Sequence, residues 1–204
     1  MVEPGLEETR RPTKRARKDP DTRRAEIVTA ARTVFVRHGY AGSGFAEVAT
    51  AAHVSKGLVY HYFPDGRAQL FVSVLEDVVS QFRDQLRQAT KLPFGPKVRM
   101  QHLLGVIFGF FDEHPDAFRL MFKDPWGTHD LDIENAATAI RVELASEVAG
   151  LLADPRVSPD ELVAASTGIL GFALANVDRC LADQVAPEVA WRVTCTYATT
   201  ALPD

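Results

Sequence analysis

The apolar residues of this chain recur every three or four positions along almost its whole length, and no segment alternates apolar and polar residues as a β-strand would. This periodicity predicts an all-α protein. Glycine and proline interrupt the pattern and divide it into helices. The predicted helices cover approximately residues 21–38, a pair within 45–63, 67–90, 97–113, 116–122, 129–153, 159–182 and 187–202.

The pair within 45–63 has the pattern of two short helices packed against each other. Val48 and Ala52 lie on one face of the first helix, and a turn follows at His53-Val54. Ser55 can cap the second helix by accepting a hydrogen bond from a backbone N–H of its first turn. Val59 and Phe63 are four residues apart, so both should face the first helix.

The remaining positions of the second short helix should point into solvent. They are Lys56, Gly57, Leu58, Tyr60, His61 and Tyr62. This face is unusually aromatic for a solvated helix. It suits a helix that lies in the major groove of DNA, where apolar groups meet thymine methyls and polar groups reach phosphates. The pair is therefore interpreted as a helix-turn-helix.

The first third of the chain resembles the N-terminal domain of the TetR family of transcriptional regulators. The matching residues are Ile27, Val28, Ala31, Phe35, His38-Gly39-Tyr40, Val48-Ala49, Ala52, Val54 to Tyr60, Phe63 and Leu70. The resemblance implies a TetR-like fold of about nine helices. It also implies a DNA-binding domain at 21–66, an effector-binding and dimerisation domain at 67–204, and a homodimer formed through the last two helices, 8 and 9.

The resemblance also implies which residues contact DNA. The candidates are Ser43, Ser55, Lys56, Gly57, Leu58, Tyr60, His61, Tyr62 and Arg67. Two of them stand in for family residues that this chain lacks. Ser43 is expected to replace a Thr that caps the second helix and touches a phosphate, and Arg67 to replace a Lys that binds phosphate. His53 occupies a turn position where the family usually has Gly, and His tolerates positive φ.

Composition is that of an ordinary globular protein. The chain has 204 residues, 46% of them hydrophobic, and two cysteines that lie far apart. The N-terminus lacks the apolar stretch of a secretory signal, and the longest apolar run, 103–111, is too short to cross a bilayer. A cytoplasmic protein without a membrane partner is expected.

Charge is distributed unevenly, although the net charge of −4 alone argues against nucleic acid. Residues 9–66 contain 11 basic and five acidic residues, whereas 67–204 contain 12 basic and 19 acidic ones. This asymmetry is typical of a basic DNA-binding head on an acidic body. Residues 1–20 form a basic segment with too few apolar residues to order itself, either a solvated tail or an arm that follows DNA.

Large apolar side chains are concentrated in the fifth and sixth predicted helices. These helices supply plain core or, by the family resemblance, the wall of an effector cavity. The candidate pocket residues are His102, Phe108, Phe111, Phe118, Phe122 and Trp126. Few charges converge on them, so the expected effector is a small hydrophobic molecule of acyl or aromatic type.

The eighth predicted helix contains Gly168 and Gly171 in its interior. A mid-helix glycine costs about 1 kcal/mol relative to alanine, and close approach of another helix would account for it. The close partner is either a second subunit, which double-stranded DNA with palindromic half-sites would require, or another helix of the same chain.

The leading hypothesis is a sequence-specific repressor that leaves a palindromic operator when its effector binds. The chain has no metalloprotease, phosphate-loop or serine-hydrolase motif, so an enzyme is not expected, nor a metal or cofactor. The alternatives are an architectural DNA-binding protein without an effector, and an activator.

Overall fold

A computed structural model describes residues 19–201 except 90–94, 154 and 156. Within these residues it contains nine α-helices, one short 3-10 helix and no strand, so the predicted all-α fold class is confirmed. The α-helices are α1 Pro20–His38, α2 Phe45–Ala51, α3 Lys56–Tyr62, α4 Arg67–Ala89, α5 Pro96–Glu113, α6 Pro115–Phe122, α7 Leu131–Leu151, α8 Pro159–Leu181 and α9 Pro187–Ala201. The 3-10 helix Asp124–Gly127 follows α6.

Residues 1–18 of the predicted N-terminal arm lie outside the described part of the structure. The helix α1 begins immediately after it. The Asp19 carboxylate accepts hydrogen bonds from the N–H groups of Asp21 and Thr22, both at 3.2 Å, and Pro20 occupies the first helical position. Gly39 ends α1 with a φ of 70°, a left-handed conformation that favours glycine.

The helix α4 joins the first three helices to the rest of the chain. Its 23 residues span roughly 34 Å. Near its start, Phe71 packs edge-to-face on Phe35 of α1, with ring centroids 5.0 Å apart. Farther along, Phe82 contacts Phe110 and Phe111 of α5 at 5.0 and 5.1 Å. One hydrophobic core therefore runs from α1 into the body.

The helices α5, α7, α8 and α9 build the body, where α8 packs between α7 and α9. A reciprocal cap begins α8. The Ser158 hydroxyl accepts a hydrogen bond from the Glu161 N–H at 3.2 Å, and the Glu161 carboxylate accepts one from the Ser158 N–H at 3.1 Å. None of the described helices is long and apolar enough to cross a bilayer.

The helix α7 begins two residues later than predicted. His129, the predicted start, has a φ of 54° and so cannot belong to a right-handed helix. Asp130 is the cap instead, and its carboxylate accepts a hydrogen bond from the Asp132 N–H at 3.1 Å. The start of α7 is thereby held by a carboxylate that also accepts a hydrogen bond from Tyr40, in the loop between α1 and α2.

Candidate DNA-binding surface and ligand cavity

The helices α2 and α3 form the predicted helix-turn-helix. His53 takes a φ of 53° in the turn, and the Val54 N–H donates to the Ala49 carbonyl at 2.9 Å. Val59 and Phe63 are fully buried, as predicted from their spacing. The rest of α3 is thereby turned outward.

The outward face of α3 is centred on Tyr60, which is 50% exposed. Its ring packs edge-to-face on Phe45 at 4.6 Å, and the Lys56 ammonium lies 5.7 Å from its centre. Phe45 itself is buried, so it holds the base of Tyr60 against α2. Tyr60 and Lys56 form one exposed unit that presents a hydroxyl and a cation.

The other α3 candidates differ in exposure. Gly57 and His61 are exposed, whereas Leu58 and Tyr62 are half-buried, and Tyr62 packs partly on the core. Ser55 caps α3 by accepting a hydrogen bond from the Leu58 N–H at 3.2 Å. The Ser55 hydroxyl is exposed and keeps its own proton to donate to a phosphate.

Ser43 does not have the predicted role. It is only 2% exposed, and its hydroxyl donates to the Gly39 carbonyl inside the loop between α1 and α2. The cap of α2 is Gly44, whose N–H donates to the Glu47 carboxylate at 3.0 Å. The prediction of a Ser43 cap and phosphate contact is wrong because the hydroxyl is buried and already used.

Arg67 is largely engaged within the protein. One of its guanidinium nitrogens donates to the carbonyls of Ser43 at 2.9 Å and Ala41 at 3.3 Å. The guanidinium also stacks over Tyr40, 4.0 Å from the ring centre. Arg67 thus fixes the α1–α2 loop against α4, and a phosphate contact from it stays a prediction.

Two polar contacts connect the helix-turn-helix region to the body at residues 115–131, which we call the connecting segment. The Arg32 guanidinium donates to the Asp116 carboxylate at 2.8 Å, at the start of α6. The Tyr40 hydroxyl donates to the Asp130 carboxylate at 3.1 Å, at the cap of α7. Burial acts to raise the pKa of Asp116, but the hydrogen bond and charge of Arg32 prevail and lower it. Asp116 is therefore held in its charged form.

A cavity of about 600 Å³ lies between α4, α6, α7 and α8 and opens to solvent. Its volume is in the range of small-molecule sites. Most of its lining is apolar. The main lining residues are Phe82, Phe118, Phe122, Val142, Leu144, Ala145, Val163, Leu170 and Leu174.

Three of the predicted pocket phenylalanines meet at one side of this cavity. Phe118 and Phe122 line it. Phe111 is fully buried and packs behind them, with ring centroids 5.4 Å from Phe118 and 5.8 Å from Phe122. Phe111 therefore supports the wall of this cavity without lining it, and its place in an effector site stays a prediction.

The other predicted pocket residues lie elsewhere. Phe108 faces α9, where it packs edge-to-face on Trp191 at 5.9 Å. His102 is exposed on α5 and faces a surface groove next to the same Trp191. Neither residue lines the cavity, because these positions of α5 face α9, and their place in an effector site stays a prediction. Trp126 belongs to the 3-10 helix, and its side chain lies outside the described part of the structure.

Sequence reasoning missed the contribution of α7. Thr138, Arg141, Val142 and Ala145 line the cavity at helical spacing, and this stripe was the available signal. Sequence reasoning also missed Lys123, whose ammonium donates to the Asp178 carboxylate across the cavity at 2.7 Å. The lining therefore carries two cations, Lys123 and Arg141, and one carboxylate.

Comparison with protein families and curated relatives places these features in a known context. Residues 27–74 match the family model described as bacterial regulatory proteins, tetR family. The HTH-type transcriptional activator FasR of Mycolicibacterium smegmatis is 29% identical over 62% of this chain and 55% of FasR. The HTH-type transcriptional repressor SCO4008 of Streptomyces coelicolor is 29% identical over 72% of this chain and 76% of that protein. The chain thus spans about half the length of FasR.

Solved structures resemble the whole described fold. A TetR-like transcriptional regulator from Rhodococcus sp. RHA1 superposes with a TM-score of 0.67 at 17% identity, covering 90% of this chain and 97% of that one. The transcriptional regulator FadR from Bacillus subtilis in complex with stearoyl-CoA superposes with a TM-score of 0.69 at 15% identity, covering 88% and 99%. At these identities the likeness concerns the fold alone.

Proposed function

Because this chain belongs to the tetR family of bacterial regulatory proteins, we propose that it is a sequence-specific repressor that a small, largely apolar effector releases from its operator. One observation carries the proposal. The connecting segment supplies Phe118 and Phe122 to the cavity wall and also bonds Arg32 and Tyr40 of the helix-turn-helix region. A ligand in the cavity and a duplex on α3 therefore act on one continuous piece of structure.

In this proposal α3 lies in the major groove. Tyr60 and Lys56 are the central contacts, and Leu58, His61 and Tyr62 complete the reading surface. Ser55 donates to a phosphate at the edge of the groove. Support comes from the exposure of this face and from the rigid seat of Tyr60 on Phe45. The division into a DNA-binding domain at 21–66 and an effector domain at 67–204 is part of the same proposal.

We infer a homodimer built through α8 and α9. On α9, Val189, Val193 and Tyr197 are each 42–45% accessible, and the Tyr197 ring packs on Phe172 of α8. Exposed apolar residues on one helix face are typical of an interface. Gly168 supports this inference because a Cβ at that position would have only the Tyr197 hydroxyl within 4 Å, so close packing inside the chain does not account for the glycine. A dimer would place two α3 helices on half-sites ~34–36 Å apart.

The effector proposed for the cavity has an apolar body and an anionic end. The aromatic and aliphatic lining suits an acyl or aromatic body, while Lys123 and Arg141 suit a carboxylate or phosphate. FadR, which shares the fold, is described in complex with stearoyl-CoA. FasR is named an activator and SCO4008 a repressor, so activation is the second candidate mode.

A selection experiment tests the proposal directly. Purified protein is used to enrich duplexes from a random library, and the enriched site is footprinted with and without stearoyl-CoA or stearate. We expect a palindromic site and loss of protection upon addition of one of these ligands. Failure to enrich any sequence would favour the architectural alternative, and tighter binding with ligand would favour an activator.

The cavity has a matched pair of variants for this experiment. Val142 is 62% exposed at the cavity mouth, so Val142→Trp adds bulk there without disturbing the core. This variant should bind the operator normally and respond to the ligand at least tenfold less. The control is Val98→Trp on α5, an exposed valine away from the cavity lining, which should respond normally. Equal responses of the two variants would place the effector elsewhere.

A further inference from the structure

A second apolar groove lies on the other side of the body, between α5, α8 and α9. Its volume is about 410 Å³, and it shares no lining residue with the effector cavity. The groove has an aromatic wall made by Phe108 and Trp191, whose rings meet edge-to-face at 5.9 Å. Val177 and Leu181 of α8 supply its floor.

Two glycines of α5 keep this groove open. Gly105 and Gly109 are one turn apart and both line it. A Cβ at Gly105 would lie 3.6 Å from Trp191, whereas a Cβ at Gly109 would meet nothing within 4 Å. Glycine at 109 is therefore not required by packing inside the chain, and it leaves space beside the aromatic wall.

The charges around the groove are all of one sign. Its described lining includes Asp112 of α5 and Glu188 of α9 and contains no lysine, arginine or histidine. Neither carboxylate forms an ion pair with a described residue. Both carboxylates act on the Cys180 thiol, which also lines the groove: burial raises the pKa of this thiol, and the charges of Asp112 and Glu188 raise it further.

We propose that this groove is a separate binding site for a lipophilic organic cation. The apolar body of the ligand packs on Phe108 and Trp191, and its ammonium group lies between Asp112 and Glu188. Tryptophan is the best aromatic partner for a cation, and a charge-assisted hydrogen bond from the ammonium group to a carboxylate adds to this attraction. The site differs from the effector cavity in position and in charge, so the proposal does not depend on the proposed function.

The groove is compatible with the homodimer proposed above. On α9, Glu188 and Trp191 lie on the side facing α5, whereas Val189, Val193 and Tyr197 point roughly the opposite way along the 3.6-residue helix. A second subunit on the exposed valines would leave the groove accessible. A bound cation would contact α8 and α9 from behind the dimer face.

Tryptophan fluorescence provides the test, because the chain contains only Trp126 and Trp191. In the full-length Trp126→Phe variant, Trp191 is the single tryptophan, so the fluorescence reports on the groove alone. It is titrated with 4-phenylbutylammonium, with neutral 4-phenylbutanol and with anionic 4-phenylbutanoate. We expect a saturable change with the ammonium compound and at least tenfold weaker binding of the other two. Equal binding of the ammonium compound and the alcohol would overturn the proposal, as would no saturable change.

Three variants locate the site. Gly109→Leu should fill the groove, and Asp112→Asn and Glu188→Gln should each weaken binding of the ammonium compound at least threefold. Glu76→Gln, a change of an exposed carboxylate on α4, is the charge control and should bind normally. Binding that survives Gly109→Leu, or that Glu76→Gln weakens equally, would contradict the proposed site.

A second readout does not rely on fluorescence. In a Cys195→Ser background, Cys180 is the only thiol, and it lines the groove. Saturating 4-phenylbutylammonium should slow its alkylation by N-ethylmaleimide at least threefold, and the effect should disappear in Gly109→Leu. An unchanged alkylation rate would overturn the assignment of the cation to this groove.

Discussion

At the scale of single residues, Tyr60 combines an exposed tip with a fixed base. Half of its surface is accessible, yet its ring is seated on buried Phe45. A large aromatic side chain held in this way loses little conformational entropy when it contacts a partner. We therefore expect Tyr60→Ala or Lys56→Ala to cost about 1–3 kcal/mol of specific DNA binding, measured by titration of the selected operator.

The fold should tolerate both substitutions. Neither residue belongs to the core, so thermal unfolding should remain cooperative, with Tyr60→Ala losing about 1 kcal/mol from the contact with Phe45. Arg179→Ala, which removes an exposed cation from α8, is the control for charge and should bind the operator normally. Loss of helicity in Tyr60→Ala would mean that the ring is a core element instead.

Asp116 should make stability depend on pH. Its pKa is lowered in the folded protein from an ordinary value of 3.8, so the pair with Arg32 contributes fully above about pH 4 and is lost as the pH falls through the folded value. Between about pH 5 and about pH 3, the wild type should therefore lose more stability than Asp116→Asn. Parallel curves from urea unfolding would contradict this assignment.

The sequence predicted the burial of single residues correctly where a helix has only one apolar face. Val59 and Phe63 were placed correctly because they form a single apolar stripe, and α2 is the helix that packs against α3. Ser43 was misplaced because sequence does not reveal that the loop folds back to the Gly39 carbonyl. The cap of α2 lies one residue later, at Gly44, whose backbone N–H donates to the Glu47 carboxylate.

At the scale of helices, α5 is apolar on nearly all sides and packs against α4, α6, α8 and α9. Periodicity therefore could not tell which of its faces meets a cavity. Phe108 and Phe111 are about 60° apart on the helix, and that angle separates the α9 side from the α6 side. The stripe of α7, which does reach the cavity, was overlooked because its residues are small or polar.

The two phenylalanines should consequently differ in their effect on stability. Phe111 is fully buried among four aromatic rings, so Phe111→Ala should lower the free energy of unfolding by about 3–5 kcal/mol. Phe108 is half-buried beside a groove, so Phe108→Ala should cost less than half as much. Denaturant unfolding of both variants checks this, and equal losses would mean that Phe108 is also packed core.

At the scale of the whole molecule, six of the 11 basic residues in 9–66 lie at positions 10, 11, 14, 15, 17 and 18 of the sequence. Deleting residues 1–18 should weaken binding to operator and random DNA by a similar factor. The slope of log K against log salt should flatten by about 0.9 for each phosphate that these cations neutralise. A variant with glutamine at these six positions should behave like the deletion, and an unchanged slope in both would identify an inert tail.

The connecting segment allows the coupling between ligand and DNA to be tested without touching either site. Asp116→Asn weakens the bond to Arg32, and Tyr40→Phe removes the hydroxyl that bonds Asp130. Coupling is a free-energy difference between two linked sites. Both variants should therefore bind operator DNA, but stearoyl-CoA should raise their operator Kd at least fivefold less than it raises that of the wild type. The measured quantity is the ratio of operator Kd with and without ligand.

The matched control for this coupling is Asp124→Asn. Asp124 lies in the same segment, but its ion pair with Arg119, at 3.6 Å, stays inside that segment and reaches no residue of α1 to α3. If strain travels through the two bonds to the helix-turn-helix region, Asp124→Asn should leave the Kd ratio unchanged. If all three variants lower the ratio equally, the segment acts through its general rigidity, and the two bonds have no special role. If none does, coupling runs through the packing of α4 against α1, where Phe35 meets Phe71.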